Sequence, residues 1–309
     1  MANKSTSVFA AVVGRPNVGK SSFVNFAVGQ KIAIVSDKPQ TTRTKIMGVL
    51  TKDENQIVFI DTPGFHNPKN RLSENMIKAV SVGMSDVDVA VLIIDACPNF
   101  KFNENELPQA ELELINEIKS RKLNCILAIN KIDLLTDKAD LLNIIAAYSK
   151  CYNFAAVVPI SAKTGDGVDI LINEIEQFKK ESVHYFDPES TTDQPERVMV
   201  CEMIREKLLW LLSDEVPHGI AVDIEQFFEK DNLDGEPILH VNATIYCEKE
   251  SHKGIVIGRG GQMLKKVGSL ARKDIEEFFG IQSSVKLWVK VKEDWRNRVG
   301  LIHTFGLDN

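Results

Sequence analysis

Residues 14–21 read GRPNVGKS, a match to GxxxxGK[ST] between an apolar run and an amphipathic one. That spacing suits a polyphosphate. Gly14 and Gly19 let the backbone turn its N–H groups inward, and a helix N-terminus follows to add a favourable dipole. Lys20 supplies a point charge to the β- and γ-phosphates, and Ser21 offers a hydroxyl to Mg²⁺. Arg15, Pro16, Asn17 and Val18 complete the loop that lines the phosphates.

Three more polar signals follow in order. Residues 61–64 read DTPG: Asp61 is placed to hold the metal through a water, Thr62 and Pro63 shape the turn, and the Gly64 N–H can sense the γ-phosphate. Residues 130–133 read NKID (Asn130, Lys131, Ile132, Asp133). The Asp133 carboxylate can accept two hydrogen bonds from the N1–H and 2-amino groups of guanine. Adenine lacks both, so Asp133 selects GTP over ATP. Ser161, Ala162 and Lys163 form SAK, where the Ala162 N–H is expected to meet guanine O6. Between the first two signals lies KPQTTRTK, residues 38–45. Thr42 is the candidate that joins Mg²⁺ only when a γ-phosphate is present, and Thr41 competes for that role. DTPG or SAK alone could be an ordinary turn; the ordered set gives them meaning.

Phe65 and then His66 follow DTPG. A Ras-like GTPase carries a glutamine in this region to orient water, and phenylalanine can neither donate nor accept. Either intrinsic hydrolysis is slow or something else orders the water. Asn17 is the candidate ligand for a K⁺ ion beside the phosphates, where an added positive charge replaces an arginine finger; its plainer role is to stabilise the loop. The catalytic set is therefore Lys20, Thr42, Gly64 and Asn17.

Residues 8–13, 56–60, 87–94, 124–129 and 155–160 read as buried strands. Helical patterns fall at 21–28, 107–121, 138–150 and 168–180. Alternating strands and helices predict an α/β domain with a doubly wound, mainly parallel sheet, its polar loops after strand C-termini. This P-loop domain is expected over residues 1–180, with 181–197 (two prolines, little periodicity) as linker.

From residue 198 to 309 the order changes: helix 199–212, strands 218–228 and 236–248, a glycine-rich turn at 254–261, helix 262–279 and strand 284–292. Gly258, Arg259, Gly260 and Gly261 form GRGG, a GxxG through which a nucleic-acid backbone can approach closely. Lys253, Lys265 and Lys266 surround it. Residues 251–300 carry 11 Lys/Arg against 5 Asp/Glu, whereas 200–250 carry 4 against 12. A basic stretch beside an acidic one predicts a polarised surface, although solvated helix faces give the same count. Ile255, Val256 and Ile257 read as core or groove lining, Trp288 as core, and Trp295, in the polar segment KEDWRNR, as a candidate contact residue.

The net charge of −6 gives no global nucleic-acid signal. Five cysteines (Cys97, Cys125, Cys151, Cys201, Cys247) without CxxC spacing argue against a zinc site and a disulfide framework. No leader or membrane span is legible, so a cytoplasmic protein is expected. A tRNA-modifying GTPase would need a further catalytic domain or cysteine site, and a membrane-division or transport GTPase a membrane segment; neither is visible. A nucleotide-dependent RNA- or membrane-binding module with negligible turnover remains the alternative, on the strength of Phe65.

GRPNVGKS, QTTR, DTPGFH, NKID and SAK resemble the translation-factor-like branch of P-loop GTPases. Joined to REKLLWLL, EVPHGIAVDIEQF, KGIVIGRGGQMLKKVGSLARKDIE and VKLWVKVKEDWR, they resemble the Era family over essentially the whole chain. The resemblance implies an N-terminal GTPase domain and a C-terminal α+β type II KH domain. It implies binding to the 3′ end of 16S ribosomal RNA, a role in 30S subunit maturation, and nucleotide control of domain arrangement and RNA binding. Mg²⁺ is the implied cofactor and GTP the substrate. The family carries a hydrophobic residue in place of the catalytic glutamine, as Phe65 does here. Its members are described as cytoplasmic and partly membrane-associated; no amphipathic helix here indicates membrane binding, and a monomer is expected. Many relatives have Lys-Gly in the middle of GxxG where this chain has Arg259-Gly260, a change that preserves charge.

Overall fold

The computed structural model describes residues 5–96 and 107–308. The aliphatic run at the start forms strand β1 (Thr6–Val13), the middle of the first sheet. β2 (Ile46–Lys52) and β3 (Asn55–Asp61) lie on one side of it; β4 (Val89–Asp95), β5 (Asn124–Asn130) and β6 (Ala156–Pro159) lie on the other, in the order β2-β3-β1-β4-β5-β6. β1, β3, β4, β5 and β6 are parallel. β2 is antiparallel to β3, and the two-residue β7 (Lys180–Glu181) is antiparallel to the start of β1.

Alternation along β1 divides the core in two. Val8, Ala10 and Val12 pack with α1 (Lys20–Val28) and α5 (Val168–Glu176). Ala11 and Val13 pack with the end of α2 (Arg71–Gly83), with α3 (Gln109–Ser120) and with α4 (Lys138–Ser149). A sheet buried on both faces needs continuous apolar strands, which is what VAVLIID and NCILAIN supply.

The second domain runs α6 (Glu196–Leu211), β8 (Ala221–Asp231), β9 (Pro237–Cys247), α7 (Glu250–Ile257), α8 (Gln262–Phe279), β10 (Gln282–Val291) and α9 (Val299–Thr304). β9 pairs antiparallel with β8, across a bulge between Ile224 and Gln226, and parallel with β10. Residues 182–195, expected as a linker, form a strap along the first sheet. The Tyr185 N–H donates to Gln56 Oε1 (2.8 Å), and Val49 N–H donates to the Thr191 carbonyl (2.8 Å).

Several elements depart from expectation. β2 carries Gly48 inside a short edge strand, which masks its strand character. The glycine is needed there because a Cβ would lie 2.7 Å from Val24 Cγ1. α2 had a legible signature: Asn70 caps it by accepting from the Ser73 N–H (2.9 Å), and Leu72, Met76, Ala79 and Val80 form its buried face. The helix expected over 168–180 stops at Glu176, and residues 180–181 form β7 instead. Gly254 lies inside α7, so the glycine turn begins only at Gly258.

Trp288 and Trp295 exchange roles. Trp288 is 44% exposed, because Leu287 and Val289 face the helices and the period-two alternation turns Trp288 outward with Lys286 and Lys290. Trp295 is 0% exposed; its Nε1–H donates to the Gly219 carbonyl (2.9 Å), and it packs in one cluster with Leu72 and Met76 of α2. Free thiols are found at Cys125, Cys151, Cys201 and Cys247; Cys97 lies outside the described residues. No helix of the described residues is long and apolar enough to cross a membrane.

Candidate functional site

The phosphate loop sits between β1 and α1, held from below. Gly14 has φ 154°, and a Cβ there would lie 2.3 Å from the Ile93 carbonyl oxygen. Gly19 has φ 100°, and a Cβ there would lie 2.1 Å from Asn130 Nδ2. Both positions exclude a side chain on steric grounds as well as conformational ones. Asn130 ties three loops together: its Nδ2 donates to the Val18 carbonyl (2.7 Å), and its Oδ1 accepts from the Ala162 N–H (2.9 Å). The Ala162 amide, expected to face guanine O6, is thus committed to Asn130.

Ser21, Thr42 and Asp61 converge. Ser21 Oγ lies 2.9 Å from Thr42 Oγ1 and donates to Asp61 Oδ2 at 2.6 Å. Thr41 turns away and donates to the Lys38 carbonyl (2.6 Å). Asp61 is 0% exposed, and its Oδ1 has no hydrogen-bond partner. An orphaned buried carboxylate oxygen beside two hydroxyls is a hard-oxygen donor set that suits Mg²⁺. Among the described residues no group of three or more His, Cys, Asp or Glu could hold a metal.

The electrostatics of the loop fit that reading. Burial pushes the Lys20 amine down to about 8, against the pull of Asp61, and its ammonium donates to the Gly14 (3.1 Å) and Arg15 (3.0 Å) carbonyls. Burial raises the Asp61 carboxyl to about 6, against Lys20 and the Ser21 hydroxyl. An anion beside Lys20 and a cation beside Asp61 would each restore the charged form.

The remaining loop residues are placed as follows. Arg15 pairs with the buried Glu111 of α3 (2.5 Å), so its side chain is directed by the protein. Pro16 meets Gly64, where a Cβ would lie 2.6 Å from Pro16 Cα. Asn17 has φ 63° and donates from Nδ2 to the Asp37 carbonyl (2.6 Å), which commits the donor end of its amide. Thr62 is buried and donates to the Val12 carbonyl (2.8 Å), and Phe65 is partly buried against the core cluster that contains Ala11 and Val13. His66 Nδ1 lies 2.7 Å from the Gly64 carbonyl oxygen. Lys131 pairs with Asp95 (2.5 Å), and Ser161 Oγ donates to Asp133 Oδ1 (2.7 Å), orienting that exposed carboxylate. A pocket of about 310 Å³ lined by Pro16, Asn17, Lys20, Ser21, Thr42 and Gly64 occupies the phosphate end.

In the second domain, Gly258 (φ 72°), Gly260 (φ 54°) and Gly261 (φ 78°) hold GRGG in a left-handed turn between α7 and α8. A Cβ at Gly260 or Gly261 would meet nothing within 4 Å, so these glycines serve backbone conformation and open approach. Arg259, Lys265 and Lys266 are exposed, and Lys253 lies 3.6 Å from Glu250. Val256 is buried, whereas Ile255 is exposed. Beside the turn, a groove of about 420 Å³ has an apolar floor of Leu264, Val285 and Leu287 and a basic edge of Lys265 and Arg272.

The domain interface was not anticipated. Arg43 and Arg205 are both buried in it, and only QTTR hinted at the first of them.

This fold and these loops define a P-loop GTPase domain joined to a KH domain. The family of 50S ribosome-binding GTPases matches residues 9–131, and the KH domain family matches residues 215–296. GTPase Era of Clostridioides difficile is 46% identical over 303 residues, 98% of this chain and 99% of that protein. GTPase Era of Ruminiclostridium cellulolyticum is 46% identical over 301 residues, 97% of each. Among solved structures, Era in complex with MgGDPNP and nucleotides 1506–1542 of 16S ribosomal RNA matches with TM-score 0.91 at 35% identity, covering 99% of this chain and 100% of that one. A variant of Aquifex aeolicus Era bound to GDP and AlF4⁻ matches with TM-score 0.91 at 34% identity, covering 98% and 100%. The chain belongs to the Era family of GTPases.

Proposed function

We propose that this protein is a GTP-hydrolysing switch that binds the 3′ end of 16S ribosomal RNA and assists assembly of the 30S subunit. The observation that carries this reading is one chain that holds both the nucleotide loops and the GxxG domain. It matches, end to end, an Era structure that contains both a GTP analogue with Mg²⁺ and that RNA.

Ser21 and Thr42 hold Mg²⁺ directly, with Asp61 acting through a water; when bound, the ion offsets charge on the β- and γ-phosphates. Lys20 exchanges the Gly14 and Arg15 carbonyls for phosphate oxygens. The Gly64 amide reads the γ-phosphate from beside Pro16. Phe65 offers the attacking water no hydrogen bond, so hydrolysis rests on positioning and charge and is slow without an activator. The oxygen end of Asn17 supports a K⁺ ion as the additional charge, because its nitrogen is committed to Asp37. Asp133, oriented by Ser161, selects guanine, and Asn130 fixes the Ala162 end of the SAK loop beside it.

On the KH side, Gly258, Arg259, Gly260 and Gly261, with Lys253, Lys265 and Lys266, take phosphates, and single-stranded bases lie in the groove between α8 and β10. The test is fluorescence anisotropy at fixed salt with a short RNA copying that 3′ end, against a scrambled one, with GDPNP and then GDP. Tight, sequence-dependent binding that strengthens with GDPNP is expected. Binding that ignores both sequence and nucleotide would remove the RNA and coupling parts of the reading.

A further inference from the structure

The loop that delivers Thr42 is held by the KH domain on both sides of that residue. On one side, the Arg205 guanidinium of α6 donates to the Thr41 carbonyl and, at 3.5 Å, to the Gln40 carbonyl. It is held in turn by Glu202 through Nε (2.8 Å) and Nη2 (2.5 Å). On the other side, Arg43 inserts into the KH domain and donates to the Ile220 (2.6 Å) and His218 (3.1 Å) carbonyls. Its guanidinium lies 5.6 Å from the centre of the Trp295 ring. Both arginines are nearly inaccessible, Arg205 at 2% and Arg43 at 4%. Further up the loop, the Val35 N–H donates to Glu206 Oε1 (3.0 Å), and Trp210 Nε1–H donates to the Val35 carbonyl (2.9 Å).

Burying a guanidinium costs several kcal/mol unless its hydrogens are satisfied, and such groups add less to stability than apolar side chains of the same size. What they add here is direction. A planar fork that grips two successive carbonyls fixes the orientation of the peptide that leads into Thr42. The peptide following Thr42 is fixed by the anchored Arg43. Between those anchors Thr42 Oγ1 lies 2.9 Å from Ser21 Oγ.

We propose that Arg205 and Arg43 are positioning residues for the GTPase reaction: through them the KH domain holds Thr42 at the metal, so that the GTP-binding form of the site is completed by the RNA-binding domain. The proposal rests on the reading of Thr42 as the γ-phosphate-dependent Mg²⁺ ligand. A route to the RNA surface lies alongside. Lys31 of the loop pairs with Glu206 (2.6 Å) and with Asp274 (2.9 Å), and Asp274 sits on α8, the helix that opens at the GxxG turn.

The test measures the affinities of fluorescent GDPNP and GDP, and the Mg²⁺ needed for half-saturation with each, in full-length Arg205→Met, Arg205→Gln and Thr42→Ala variants. Arg205→Met is expected to weaken GDPNP relative to GDP at least about tenfold, as loss of hydrogen bonds from a charged donor implies. It should raise the Mg²⁺ requirement with GDPNP alone. Arg205→Gln keeps one amide donor and should recover part of the loss. Equal weakening of GDPNP and GDP would overturn the proposal by marking Arg205 as merely structural. So would an unchanged GDPNP-to-GDP ratio in Arg205→Met when Thr42→Ala has lost it. An unchanged ratio in Thr42→Ala itself would instead sink the reading of Thr42. Should Arg205→Met not fold, Arg205→Gln decides: a severalfold fall in the ratio supports the proposal and an unchanged ratio refutes it.

Discussion

Asn130→Ala isolates the bridge beneath the nucleotide. Asn130 is 3% exposed and spends both ends of its amide on backbone: the Val18 carbonyl at 2.7 Å and the Ala162 N–H at 2.9 Å. Truncation removes two hydrogen bonds worth about 1 kcal/mol each and leaves two backbone groups to find new partners, for a total near 3 kcal/mol. The two orphaned groups belong to the buried Val18 and Ala162, and only a shift of the phosphate and SAK loops can bring them to water. Bound nucleotide holds both loops in place, so the cost falls mainly on the nucleotide-bound form. At 1.4 kcal/mol per decade, GTP and GDP should each bind about 100-fold more weakly. Their ratio should be unchanged, because neither contact faces the γ-phosphate. Asn130→Asp should be at least as damaging, since it keeps the acceptor for Ala162 but sets a carboxylate oxygen against the Val18 carbonyl. Titration of fluorescent GDP and GDPNP checks this. Affinities within threefold of the parent, or a loss confined to GDPNP, would refute the bridge argument.

Asp133→Asn turns a double acceptor into a mixed group, so GTP affinity should fall at least about 100-fold while xanthosine triphosphate gains; competition binding reads both. Arg259→Asp with Gly260→Asp should abolish binding to single-stranded RNA and leave GTP affinity intact. A side chain at Gly260 meets no neighbour, and aspartate tolerates its positive φ better than most residues, so parallel RNA and GTP titrations distinguish this from misfolding. Trp295→Ala should destabilise the chain by about 4 kcal/mol, as truncation of a fully buried aromatic does, with Trp295→Phe intermediate; urea unfolding measures both, and a change under 1 kcal/mol would contradict the burial.

The placement of the candidate nucleotide loops was legible because it is local. Gly14, Gly19, Lys20 and Ser21 act within one loop, so their spacing in sequence carries their geometry. Asp61, Asn130 and Ser161 follow apolar strands whose parallel pairing brings their C-terminal ends together. What the sequence left open depends on contacts between distant segments. Thr41 and Thr42 are adjacent and chemically alike; only the Thr41 bond to Lys38 and the approach of Thr42 to Ser21 separate their positions. Likewise, nothing near residue 162 indicates that its amide is taken by Asn130.

The second domain shows the same limit from the other side. Period-two alternation in VKLWVKV divides β10 into two faces but does not say which one the helices cover. Trp288, the most apolar-looking choice for the core, falls on the open face because Val285, Leu287 and Val289 are in register with the buried Val241, Ala243 and Ile245. Trp295 lies among charged neighbours, yet α2 of the first domain supplies Leu72 and Met76 to cover it, and Arg43 reaches it from the loop beside the nucleotide. Polarity of neighbours in sequence predicts exposure only when the partner surface comes from the same segment. Here the partner is another domain, so a charged tail segment contains the largest fully buried side chain among the described residues. The residues that join the domains were therefore the least legible, because each makes sense only against a surface more than a hundred positions away.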